Sequence, residues 1–362
     1  MKNTNFIKKH WKKILICPTV LLLMIVSAVS LFNYLLVPPE LATIIETVMY
    51  DIKHEDENID IAFVGSSRTY TGIDSVSLSE YLDKNVYNIA YESSDYFTTY
   101  HILEEVEKTH DLKEIFLEVS IPNFSRKKGT QEIYVHRTLT GETKKSFAEG
   151  KNIDYINFKP LEFTHYLKNF SNGRFVENIS LKAKKDISSG YAINDKKTTY
   201  VGNGYITVNA KIDSESNLVL PKSYGGESKS WNKDNLNELQ VEYFHKIIKM
   251  CEDKDIKVTL YSPPYPAFIV EKYLDKLEAF NNYIEEINQN YNFEYIDFSK
   301  LLKSQLQLTN NYFYNSNHLN VYGSKKFQPI ITSVYNDLKN NTYNASNYFY
   351  DSYDDMISAY NA

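Results

Sequence analysis

Between Ile14 and Val37 the chain carries no charged side chain, and no other feature narrows its possible folds so sharply. A helix of that length, at about 1.5 Å per residue, covers the roughly 30 Å hydrocarbon layer of a bilayer with slack for tilt. Lys2, Lys8, Lys9, Lys12 and Lys13 precede the run, whereas Glu40, Glu46 and Asp51 follow it. The positive-inside rule therefore predicts a cytoplasmic N-terminus (1–13), one transmembrane helix (14–37) and an exterior remainder. A cleaved signal peptide competes, because Ala28-Val29-Ser30 has small residues at suitable spacing. The apolar run continues past that point through Leu31, Phe32, Leu35 and Leu36, as a span requires and a removable signal does not. An uncleaved anchor is the expectation. Cys17 opens the run rather than closing it, so it does not read as a lipid-attachment site.

Setting aside the five N-terminal lysines leaves 35 basic and 46 acidic residues, a charge of −11. A domain so acidic is poorly suited to nucleic acid or anionic headgroups. Cys251 is the only other cysteine, so no disulfide forms within the exterior part. The 31 tyrosines fit either biased codon usage or a carbohydrate-facing surface, and do not decide between them.

After a linker (38–57), the chain alternates between short apolar runs and helical periodicity. "IDIAFVG" (59–65), "VYNIA" (86–90) and "EIFLEVSI" (114–121) read as buried strands. Tyr96, Tyr100, Leu103 and Val106 recur at helical spacing between the second and third. A long irregular stretch follows from about Ser125 to Trp231, within which Gly202 to Gly204 suggests a hairpin. Alternation then resumes. A helix over 236–250 leads to the strand "KVTLYSPPYP", a helix from about Phe268 to Gln289, the strand "EYIDF" and a closing helix to about Leu338. Such alternation predicts an α/β fold with a parallel sheet covered on both faces. Ligands in such folds sit at the carboxyl ends of the strands. Those ends are Gly65–Ser67, Ala90–Ser94, Val119–Asn123, Ser262–Pro264 and the loop carrying His318.

Two of these ends carry chemistry. In "FVGSSRTY" a glycine turns the chain off a strand, and the serine beyond it projects into the crevice near a helix start. In "FYNSNHLNVYG" His318 lies in a loop between a late strand and the last helix. His101, His110 and His245 fall in or beside helices and read as packing or surface residues. No HExxH or paired metal spacing is present. Arg68 is either a solvated cation or a reader of an anionic substrate. Glu118, in an apolar strand, needs a partner if buried and otherwise reaches solvent.

The early Gly-Ser-Ser, the "NIAYESSDY" segment and the late "NHLNVYG" loop resemble the SGNH (GDSL-like) hydrolase superfamily. Within it they are most similar to the membrane-anchored branch, which includes the D-alanyl transfer protein of teichoic-acid modification and polysaccharide O-acetyltransferases. The likeness covers about 58–124 and 234–340, with 125–233 an insertion between the third and fourth strands and 341–362 a Tyr-rich tail. It implies a three-layer αβα sandwich, Ser67 as nucleophile and His318 as base. Ser66, Ser93 and Asn123 would then supply the oxyanion hole, although the second block lacks the family's usual glycine. The family's acid precedes its histidine by three residues, and here that position is Asn315. An amide can hold the imidazole but cannot stabilise imidazolium; in chymotrypsin the same exchange costs about 10⁴ in turnover, with the wrong histidine tautomer as the cause. A backbone carbonyl or Asp297 are the alternative orienting groups.

The resemblance implies a membrane-tethered esterase or acyltransferase acting on cell-wall or exopolysaccharide esters, partnered by an integral-membrane O-acyltransferase and needing no cofactor or metal. The competing expectation is a degenerate site that only binds a polymer or its partner enzyme. A phosphodiesterase or nuclease is disfavoured by the charge and by the lack of carboxylate clusters.

Overall fold

The computed structural model describes residues 3–127, 131–151, 163–167, 172–184, 187–212, 233, 236–291 and 293–362. Much of the end of the expected insertion, 213–232, therefore lies outside the described residues, as do 234 and 235 just after it. A helix over Asn3–Leu36 contains one stretch, Ile16–Leu36, apolar and long enough to cross a membrane, with a mean hydropathy of 2.2. Only 6% of that stretch is buried. A core helix of a soluble domain would hide such a surface; this one presents Leu21, Leu22, Leu23 and Met24 outward.

The remaining chain is α/β. Among the described residues seven strands follow in order: β1 (Ile61–Gly65), β2 (Val86–Ala90), β3 (Glu114–Glu118), β4 (Thr198–Gly202), β5 (Tyr205–Val208), β6 (Lys257–Ser262) and β7 (Glu294–Asp297). Five of them form one parallel sheet in the order β2-β1-β3-β6-β7. Every residue of β1, β2 and β3 is buried, so both faces of the sheet centre are covered. Chain order runs outward from β1 to β2, then returns to β3 on the other side of β1, making the β1/β3 boundary the topological switch point. In sheets of this kind a crevice opens there. The register pairs Gly65 with Ala90, Glu118 with Tyr261 and Ser262 with Asp297, so these strands finish at one level.

Several expected boundaries are corrected. The linker is a core helix, Ile44–Lys53, with Ile45, Val48, Met49 and Ile52 almost wholly buried. The described parts of the stretch after β3 are not irregular: they hold helices Glu132–Thr138, Gly141–Gly150 and Asn172–Lys182 and the antiparallel β4–β5 hairpin. The hairpin tip serves the sheet. Asn203 accepts from the Asn88 N–H at 2.8 Å and donates to the Val86 carbonyl at 3.1 Å, so the outer edge of β2 is not left open. Gly204, at φ +78°, lies so close that a Cβ would stand 2.2 Å from the Asn88 carbonyl oxygen. The helix expected over 268–289 breaks at Tyr273 into Ala267–Lys272 and Leu274–Asn288. The Tyr-rich tail is part of the fold, with Phe349 bridged to Leu301 and Tyr353 and Met356 buried.

Burial brings the Glu46 carboxyl into the physiological pH range. It is 5% exposed, accepts from the Ala42 N–H at 3.0 Å, and lies 3.0 Å from Arg137. Loss of solvation outweighs Arg137 and the hydrogen bonds and lifts its pKa from 4.5 to about 7. The folded protein then holds this proton more tightly than the unfolded chain, so Glu46 lowers stability as pH rises from 4.5 to 7. The shift corresponds to about 3 kcal/mol. Denaturant unfolding of wild type and Glu46→Gln across that window should show the slope difference; parallel curves would refute it.

Candidate active site

Ser67 opens a short helix, Ser67–Gly72, directly after β1. The turn is built around Glu118, at the end of the neighbouring strand. Its carboxylate, 1% exposed, accepts the Ser66 N–H at 2.7 Å, the Ser66 hydroxyl at 2.8 Å and the Thr69 hydroxyl at 2.7 Å. Because Thr69 spends its proton on Glu118, the Tyr261 hydroxyl, 2.6 Å away, donates to Thr69. Gly65 leaves room for this: a Cβ there would lie 2.3 Å from Thr69 Oγ1 and 2.5 Å from Glu118 Oε2. Glu118 thus neither reaches solvent nor pairs with Arg68. Four donor–acceptor contacts hold the chain on either side of the serine.

The other half arrives from the far end of the sequence. Asn320 caps the helix Val321–Lys339, its side-chain oxygen accepting the N–H groups of Tyr322 and Gly323 at 3.0 Å. From that helix, Ser324 and Gln328 donate to the Gly72 carbonyl at 3.1 and 2.9 Å. Helix Ser67–Gly72 and the loop before Val321 are thereby locked together. Phe313 and Leu319 bridge the base of the loop.

At its tip, His318 Nε2 lies 2.7 Å from the Ser67 hydroxyl oxygen, and His318 Nδ1 lies 2.7 Å from Asn315 Oδ1. The same Asn315 oxygen accepts the backbone N–H groups of Asn317 at 2.9 Å and His318 at 3.1 Å. Those two donors fix which end of the amide faces inward, since rotating it would set an NH₂ against two N–H groups. An oxygen facing Nδ1 requires a proton on Nδ1, so Nε2 is left as the acceptor for the serine proton. This is the tautomer a general base needs. Asp297, the alternative orienting group, is committed elsewhere, capping Ser299 and accepting from Tyr353.

Of the remaining expected residues, Asn123 and the second-block turn are brought together. Asn123 donates to Ser94 Oγ at 3.0 Å, beside Ser93. Ser93 has φ +57°, the left-handed region that favours glycine. Two assignments are corrected. Ser66 cannot offer its N–H to an oxyanion because Glu118 holds it. Arg68 is 7% exposed, stacks 3.7 Å above the Tyr265 ring and donates to the Pro263 carbonyl, so it faces the fold rather than a substrate.

Two aromatic residues escaped the sequence reading. Tyr314 stacks on the His318 ring at 5.1 Å between centroids, and Tyr70, three residues after Ser67, places its hydroxyl toward the Ser67 side chain. Burial keeps the Tyr70 phenol protonated well beyond its ordinary value. The helical offset of three from Ser67 was the available signal. Both tyrosines line a cleft of about 400 Å³, together with Glu92, Ala42, Ile206 and Val208. A larger depression of about 580 Å³, between helices Tyr96–Val106 and Glu238–Asp253, has charged walls and none of these residues.

Neither the protein-family models nor the curated proteins contain a match to this sequence.

Proposed function

We propose that this chain is a membrane-tethered serine acyl-transfer enzyme of the SGNH (GDSL-like) type, with its catalytic domain outside the cytoplasm in an αβα arrangement that carries an insertion after β3. The observation that carries the reading is the hydrogen-bonded series Ser67–His318–Asn315, with both links at 2.7 Å. His318 Nε2 takes the hydroxyl proton as Ser67 Oγ attacks an ester or thioester carbonyl. The tetrahedral oxyanion is met by the Ser93 N–H and the Asn123 amide, from two strand ends that the Asn123–Ser94 hydrogen bond ties together. Collapse expels the leaving oxygen or sulfur, which receives the proton from imidazolium. A sugar hydroxyl or water, deprotonated by His318, then attacks the acyl-serine and releases the acyl product. An integral-membrane O-acyltransferase is the proposed acyl source, and the tether raises the effective concentration of the domain beside it.

Asn315 favours one other reading, a site that binds a polymer or partner without turnover. A fluorophosphonate reporter separates the two, because it captures an activated serine whatever the natural ester. Wild-type protein should label at Ser67, Ser67→Ala should not label, and His318→Ala should label roughly 10²-fold more slowly or worse. Absence of label on the wild type would leave only the binding reading.

A further inference from the structure

The end of the apolar helix does not hang free. Its last carbonyls, which have no partner within a helix, are taken up by helix Asn172–Lys182. Asn178 donates to the Leu36 carbonyl at 2.9 Å and to that of Leu35 at 3.3 Å, while Lys182 donates to the carbonyls of Tyr34 and Val37. Contact extends into the apolar stretch itself. Phe163 stacks on Phe32 at 5.4 Å, and its N–H donates to Asn33 Oδ1 at 2.9 Å. Phe32 lies four residues before the end of the candidate span at Leu36, so whatever touches it stands at the boundary between hydrocarbon and headgroups.

Exposure points to the same place. Outside the span, the exposed large aliphatic side chains among the described residues are Leu167, Val176, Ile187 and Val201. Three of the four, Leu167, Val176 and Ile187, lie within five residues of Phe163, Asn178 or Lys182, which touch the span. Val176, on the docked helix, is 62% exposed, and Leu167 and Ile187 are about half exposed at 48% and 50%. Lys182, whose ammonium lies 5.2 Å from the Tyr34 ring centroid, makes with it the tyrosine–lysine pairing suited to a headgroup layer.

We propose that the described residues 163–167, 172–184 and 187 lie on the bilayer as an interfacial support, with Leu167, Val176 and Ile187 inserted among the lipids. The occupant of this apolar surface is the lipid surface itself, because these residues are continuous with a helix that the bilayer surrounds. A consequence follows for the cleft beside Ser67. One of its walls is Ala42, six residues beyond Leu36, which an extended chain can carry no further than about 20 Å. Tyr191 shortens the tether by donating to the Glu40 carbonyl at 2.8 Å. The cleft is held close to the membrane at a fixed height, where ligands borne by lipids can reach it.

The test uses the full chain in lipid nanodiscs, with Cys17→Ser to remove the exposed thiol and an environment-sensitive fluorophore on Val176→Cys. Ile187→Cys serves as a second site, and Lys249→Cys, exposed on helix Glu238–Asp253, as the aqueous control. Labels at 176 and 187 should be quenched by headgroup-region nitroxide lipids and should resist iodide by roughly an order of magnitude relative to 249. Iodide quenching equal to that at 249 would overturn the proposal. So would protection that appears in native membranes and vanishes in nanodiscs, since it would identify a protein as the cover. No activity is read, so the outcome is independent of the serine mechanism.

Discussion

Under the proposed serine mechanism, Asn315→Asp should raise kcat/KM for p-nitrophenyl acetate by about 10- to 100-fold, and not by the 10⁴ that the loss of an aspartate costs in chymotrypsin. The difference lies in what the amide does. In chymotrypsin the substituted amide imposes the wrong tautomer on the histidine. Here the N–H groups of Asn317 and His318 hold the Asn315 oxygen toward Nδ1, so the imidazole is already poised with Nε2 facing Ser67. What Asn315 lacks is charge. A charge-assisted hydrogen bond is roughly twice as strong as a neutral one, so a carboxylate would stabilise imidazolium by an extra 1.4–2.8 kcal/mol or so. Asn315→Leu removes all three acceptor contacts and should lower kcat/KM by at least about 10²-fold. Steady-state kinetics of the three proteins test the argument. A gain near 10⁴ would mean that the wild-type tautomer is wrong; equal rates in Asn315→Leu and wild type would mean that the residue does not orient the ring.

Glu118→Gln should lower kcat about 10²-fold with little change in KM, and reduce stability by about 2 kcal/mol. Glu118 touches no substrate in the mechanism; it positions the turn. Its two oxygens receive the Ser66 N–H and the hydroxyls of Ser66 and Thr69. Glutamine keeps the size and one oxygen but loses the negative charge that draws three donors to Oε2, and its NH₂ in the place of Oε1 obliges the Ser66 hydroxyl to accept as well. The turn is held less firmly, and Ser67 with it. Thermal melting and kinetics on the same variant separate the effects: a melting shift with wild-type kcat would reduce Glu118 to a structural role. Thr69→Val, which removes one of the donors aimed at the carboxylate, should lose less than Glu118→Gln on both measures.

Much of this was legible in the chain. The apolar run before Val37 and the five strands of the parallel sheet follow from local pattern, because an uncharged stretch and a strand buried on both faces each leave a contiguous signature. Ser67 and His318 could be picked out because a turn glycine and a loop position are also local, whereas Asn315 stood out only through the resemblance. Helix Ile44–Lys53 carried its periodicity in Ile45, Val48, Met49 and Ile52, yet its place beside the span made it read as a linker. The docking of the tail left no such local trace, because Tyr353 bonds to Asp297, 56 positions earlier in the chain.

The sequence by itself determined that an anchor-like helix precedes an α/β domain and that a serine and a histidine stand at strand ends. Only the tertiary structure decided that these two groups meet across 251 positions, that Ser66 belongs to Glu118, that Arg68 turns inward, and that an asparagine can present an oxygen to a histidine. The physical reason is that propensity and periodicity are properties of neighbours along the chain, whereas the direction of a hydrogen bond is set by whichever donors the fold brings within 3 Å.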